Sequence, residues 1–168
     1  VASNPINGDL VFYTDGNRVF YLNHQQMPNG FGLNATSGNN QPVVLSPIPG
    51  TPDQYYIFTN NAGTIFVTTV DMTQFGNAAF PAPPFGDVIP ASKNTPMASI
   101  PAGRAQGMIT IPHDNGIDYW LITQESGTRN YTVTLIDATA TFQSTTFAGL
   151  GVNISAANLS YHPGTGRI

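Results

Sequence analysis

Apolar positions come in short bursts rather than at the spacing of a helix, because a glycine or proline interrupts nearly every window long enough to hold one. The bursts are rich in β-branched and aromatic residues, which suit a pleated, half-buried surface. They predict strands over Leu10–Thr14, Arg18–Leu22, Val43–Ser46, Tyr55–Thr59, Ile65–Val70, Met108–Ile111, Tyr119–Thr123, Tyr131–Ile136 and Thr145–Phe147. Turn chemistry separates them. Asp15-Gly16-Asn17, Asn60-Asn61-Ala62-Gly63 and Glu125-Ser126-Gly127-Thr128 each suit the positive φ of a tight hairpin. The pattern is one of antiparallel hairpins, and the fold class expected is all-β.

The hairpins also repeat. Val43-Val44-Leu45-Ser46-Pro47, a turn, Tyr55-Tyr56-Ile57-Phe58-Thr59, a glycine turn and Ile65–Asp71 form one unit. Met108-Ile109-Thr110-Ile111-Pro112, the turn His113-Asp114-Asn115-Gly116, Tyr119–Thr123, a glycine turn and Tyr131–Asp137 restate it in the same order. Pro47 and Pro112 are 65 residues apart, and Thr59 and Thr123 are 64 apart. The chain therefore divides into blade-like units at about residues 42–90 and 106–148, with partial ones at 8–24 and 157–168. Repeated antiparallel sheets with glycine-rich turns predict a partial β-propeller, a single all-β region over 1–168 that reads as a fragment of a longer propeller. A β-sandwich is the alternative, since it shows the same short strands without needing a repeat.

Composition narrows the partners. There are 17 Gly and 14 Pro against 5 Lys+Arg and 9 Asp+Glu, with a formal net charge of −4. Nothing here makes the basic footprint that nucleic acid requires, and no apolar run is long enough for membrane insertion. Zero Cys removes disulfides, thiolate metal sites and cysteine nucleophiles together.

Four segments carry a resemblance: Gly8-Asp9-Leu10-Val11-Phe12-Tyr13-Thr14-Asp15-Gly16, Asn23-His24-Gln25-Gln26-Met27-Pro28-Asn29-Gly30, Tyr55-Tyr56-Ile57-Phe58-Thr59 and His113-Asp114-Asn115-Gly116-Ile117-Asp118-Tyr119-Trp120. In order and spacing they resemble the propeller-like N-terminal region of large secreted Bacteroidota surface proteins, many of which end in a gliding-motility-associated, type IX secretion sorting domain. The resemblance runs from Gly8 to about Pro163. It implies an extracellular or cell-surface, non-enzymatic module used in adhesion or display, and it brings no catalytic motif.

The residues offer little chemistry of their own. His24, His113 and His162 lack the spacing of a zinc site. His113, with Asn115 and Gly116, reads as a structural turn, its imidazole tying the loop by hydrogen bonds. Asp114 and Asp118 are weak calcium candidates, because the five-residue stretch they bound lacks the further oxygen ligands of a calcium loop. No Gly-x-Ser-x-Gly elbow occurs, and Gly149-Leu150-Gly151 and Gly164-Thr165-Gly166 read as turns rather than phosphate cradles. Trp120 is expected in the core. No catalytic residue and no cofactor is assigned.

Two long polar or proline-rich excursions, Asn23–Gln41 and Phe75–Pro101, read as the loops where binding residues sit on a rigid scaffold. They nominate His24, Asn29, Phe80 and Phe85. The expected function is binding or adhesion, contacting protein or glycan through loops. The alternatives are a fragment of a polysaccharide-acting propeller hydrolase or lyase built around His113, Asp114 and Asp118, and a structural subunit pairing through open strand edges.

Overall fold

The computed structural model describes residues 1–4, 7–77, 84–149, 153, 158–162 and 164. Thirteen strands are found among them: β1 (Ala2–Ser3), β2 (Leu10–Thr14), β3 (Arg18–Tyr21), β4 (Gln26–Phe31), β5 (Val43–Pro47), β6 (Gln54–Asn61), β7 (Thr64–Asp71), β8 (Asp87–Val88), β9 (Thr95–Pro96), β10 (Arg104–Pro112), β11 (Tyr119–Glu125), β12 (Asn130–Ile136) and β13 (Ser144–Ala148). A single 3-10 turn, Pro90–Ser92, interrupts them. No helix among the described residues is long and apolar enough to cross a membrane.

The strands form three antiparallel sheets, each a meander of consecutive strands. Sheet 1 is β1-β2-β3-β4 and sheet 3 is β10-β11-β12-β13. Sheet 2 is β5-β6-β7-β8, with β9 also paired to β7. The all-β class and the antiparallel pairing are as expected, and the stacking of sheet on sheet is sandwich-like in architecture. All nine strands read from the sequence are present. The hairpin at 8–24 is flanked by β1 and β4, so sheet 1 is a full four-stranded meander.

Sheet 2 is the middle layer, and strict alternation along its strands explains how it packs on both sides. Tyr55 and Ile57 of β6 with Val70 of β7 face sheet 1, where they meet Phe12, Val19, Tyr21 and Met27. Tyr56 and Phe58 with Ile65 and Val67 face sheet 3, where they meet Met108, Leu121 and Ile136. Register keeps the faces consistent, with Val44 opposite Phe58 and Leu45 opposite Ile57. Every residue from Tyr55 to Asn60 is buried, the continuous run expected of a strand covered on both faces. Phe12 meets Tyr55 edge-on at 5.3 Å between ring centroids.

Polar pins hold the layers in register. The Tyr21 hydroxyl donates to the Gly86 carbonyl at 2.9 Å, and Thr110 Oγ1 donates to the Leu45 carbonyl at 2.7 Å. Asn60 Nδ2 donates to the Ala105 carbonyl at 2.7 Å. Asn94, at φ 54°, donates from Nδ2 to the Gly32 carbonyl at 2.8 Å and accepts the Asn34 amide at 2.9 Å. Gly76 is required where the chain closes over Tyr21, because a Cβ there would lie 2.2 Å from both the Tyr21 hydroxyl and the Gly86 carbonyl oxygen.

The repeat is visible in the turns as well. At the end of β7, Asp71 Oδ1 accepts from the Thr73 amide at 2.9 Å and the Thr73 hydroxyl at 2.6 Å. At the end of β12, Asp137 Oδ1 accepts the same pair from Thr139 at the same distances. Asn23 plays the part after β3, accepting the Gln25 amide at 3.1 Å. These are Asx turns, in which a short side-chain oxygen replaces a backbone acceptor.

Two expectations change. The excursion Asn23–Gln41 contains β4, and Asn29 lies in that strand rather than in a loop. Trp120 is half-buried on the outer face of sheet 3, because its neighbour Leu121 takes the inward position against sheet 2.

Candidate binding face

The loops fall at two ends of the stack. One end gathers the β1–β2, β3–β4, β5–β6, β7–β8 and β10–β11 connections, and the other gathers the β2–β3, β6–β7 and β11–β12 hairpins.

At the first end a groove of about 400 Å³ is lined by all three sheets: Asn4 of the β1–β2 loop, the β5–β6 loop with Pro47, Gln54 and Tyr55 at the strand ends that flank it, and Ile117 of the β10–β11 loop with Tyr119 at the start of β11. The β5–β6 wall is stiff. It carries Pro47, Pro49 and Pro52, and Asp53 is held at φ 65°. The β10–β11 wall is fixed by a compact turn. Asn115 Oδ1 accepts the amides of Ile117 and Asp118, both at 3.0 Å, and its Nδ2 donates to Asp118 Oδ2 at 2.6 Å. That turn thrusts Ile117 into solvent with 63% of its surface exposed. Tyr55 supplies a phenol at the groove floor, and its pKa is raised by burial, with the charge of Asp53 and the nearby Tyr119 adding to it.

A second groove on the same end, about 510 Å³, shares Asn4 and runs between sheets 1 and 2. Leu10, Tyr21, Leu22, Met72 and Phe85 make its wall mostly apolar. Phe85 packs edge-on against Tyr21 at 5.6 Å.

The opposite end holds a polar groove lined by Asn39, Asn60, Gly103, Arg104, Gln106 and Ser126. Arg104 is buried, and burial lowers its pKa while the Glu125 carboxylate opposes that shift. Its Nη1 donates to Thr132 Oγ1 at 2.8 Å, and its buried Nε finds no acceptor.

The residues nominated from sequence are scattered over these surfaces. His24, at φ 67°, tips the β3–β4 turn with Nδ1 hydrogen-bonded to the Tyr13 hydroxyl at 2.9 Å. Asn29 Nδ2 donates to both carboxylate oxygens of Asp87 at 3.1 Å, tying β4 to β8. Phe85 lines the second groove, and Phe80 lies outside the described residues. His113 accepts the Asn115 amide on Nδ1 at 3.0 Å, and its ring lies 4.8 Å from that of Trp120. Asp114 is exposed, the Asp118 carboxylate receives Asn115, and Gly116 takes the positive φ the turn demands. Among the described residues no group of three His, Asp or Glu is arranged to hold a metal ion.

No protein-family model matches the chain, and no curated protein or solved structure matches it significantly. The arrangement itself therefore carries the functional reading. Sequence reasoning passed over the Pro47–Asp53 wall and Ile117, although the offset between Pro47 and Pro112 already placed these two loops at equivalent positions.

Proposed function

We propose that the chain is a binding module on a propeller-type scaffold, belonging to an extracellular or cell-surface protein, that contacts a neutral glycan through the loop end and does no chemistry of its own. The observation that carries this is the groove where loops of three sheets converge, walled by prolines, Tyr55, Tyr119 and Ile117 and edged by Asn4, Gln54 and Asp53. Aromatic and proline surfaces offer apolar contact to a sugar face, while amide and carboxylate oxygens accept from its hydroxyls. Low overall charge suits a neutral partner, because steering is weak and hydrogen bonding supplies the selectivity. The resemblance to secreted surface proteins supports the setting.

The test is retention on an array of neutral polysaccharides, with Ile117→Asp as the probe because its exposed side chain contributes little to folding. Binding weakened by about tenfold or more at an unchanged melting temperature is expected. A chain that binds only protein ligands, or whose glycan binding ignores Ile117→Asp, overturns the assignment.

A further inference from the structure

Each sheet presents one face to the sheet that follows it. Phe12 of sheet 1 is fully buried beneath sheet 2, and Phe58 of sheet 2 is fully buried beneath sheet 3. The corresponding position of sheet 3 is Ile122, one residue before Thr123 as Phe58 is one before Thr59. Ile122 points away from sheet 2, since Leu121 beside it points in. Cross-strand pairing extends this outer face as apolar rows. Ile109, Ile122 and Val133 stand opposite one another, as do Ile111, Trp120 and Leu135. Tyr131 stands opposite Phe147, which is 55% exposed.

Something already begins to cover these rows. Leu159 lines an apolar groove of about 290 Å³ together with Ile122, Tyr131, Val133 and Phe147. Its backbone is clamped on both sides by Gln41, whose Oε1 accepts the Leu159 amide at 2.9 Å and whose Nε2 donates to the Leu159 carbonyl at 3.2 Å. The sequence around Leu159 restates the first strand of sheet 2, β5, and the turn that follows it. Leu159-Ser160-Tyr161-His162-Pro163-Gly164-Thr165 matches Leu45-Ser46-Pro47-Ile48-Pro49-Gly50-Thr51 at five of its seven positions. Leu45 packs onto sheet 1, the sheet before its own, and Leu159 borders a groove on the outer face of sheet 3.

We infer that the outer face of sheet 3 is the docking surface for a fourth antiparallel sheet of the same kind, supplied by this polypeptide and begun by the segment Leu159–His162. It rests on the same repeat as the propeller reading. Its test involves no glycan, so its failure leaves the loop-end groove standing, and loss of glycan binding leaves this surface standing.

The chain has no cysteine, so Val133→Cys introduces a single thiol on the face in question. Two variants are compared in that background by thiol-labelling rate. In the first, Leu159→Asp in the 168-residue chain is expected to speed labelling about tenfold, as the cover Leu159 supplies is lifted. In the second, the sequence Pro52–Ile100 follows Thr165, continuing the match in register, and labelling is expected to slow by about tenfold while sedimentation reports a monomer. Labelling unchanged by Leu159→Asp overturns the proposal. So does a folded, extended monomer labelled as fast as the shorter chain. Protection that appears only in a dimer of the 168-residue chain assigns the face to a second copy instead, and also overturns it.

Discussion

Sheets 2 and 3 share a topology, a repeat and the same Asx turn, yet differ in what covers them. In sheet 2, β6 is buried from Tyr55 to Asn60 and β7 sends Val67 and Val70 to opposite neighbours. In sheet 3, Met108, Leu121 and Ile136 are fully buried against sheet 2, whereas on the other side Ile122 is buried, Tyr131, Val133 and Leu135 are half-buried and Phe147 is exposed. The strands of both sheets are comparably apolar. Burial of a given position in this stack is therefore decided by its neighbour, and the energetic weight of a side chain follows its layer more than its type.

The largest effect expected is at the two-sided sheet. Phe58→Ala removes a fully buried ring between sheets 2 and 3 and should cost about 3–5 kcal/mol in urea unfolding. Leu121→Ala, on the opposite wall of that interface, should cost about 2–5 kcal/mol, and the double variant should fall short of the sum because both open the same space. A cost well under this range at Phe58 would break the comparison.

Next is the Asx turn of β7. Burial raises the Asp71 carboxyl, but hydrogen bonds from Thr73, Gln74 and Gln54 outweigh it and hold the pKa below the ordinary carboxylate value. A carboxyl depressed in the folded state contributes stability that is fully present above its unfolded pKa and is lost as pH falls through the folded one. Asp71→Asn should therefore cost about 1–3 kcal/mol at neutral pH, since its amide would face the donors of Gln54 and Gln74, and it should flatten the acid limb of the stability profile. Melting curves between neutral and strongly acidic pH read both effects. The smallest effect expected is on the open side of sheet 3, where Phe147→Ser should change stability by less than about 0.5 kcal/mol. A large loss there would show that the outer face is as closed as the inner one.

How much of this was legible follows from the same contrast. Eight of the nine strands read from sequence hold a cluster of apolar residues that a buried face requires, and the ninth, Thr145–Phe147, is β-branched and aromatic but exposed. Those missed do not: β1, β8 and β9 are two residues each, and β4 carries Pro28 and Gly30 on a sheet edge where a missing donor is tolerated. Ile48–Asp53 and Ile117 carried no signal of their own, because a groove made by loops some 65 residues apart exists only once the sheets are stacked. Trp120 was misplaced for the same reason. Alternation fixes that it and Leu121 point to opposite sides, but not which side has a neighbour.

The meander within each sheet sets the folding kinetics. Every strand but β9 pairs with one adjacent in sequence, and most connections within a sheet are short, so each sheet closes at small entropic cost. Sheets can then form in succession, each templated by the one before, so the time for assembly should lengthen only gradually with the number of sheets.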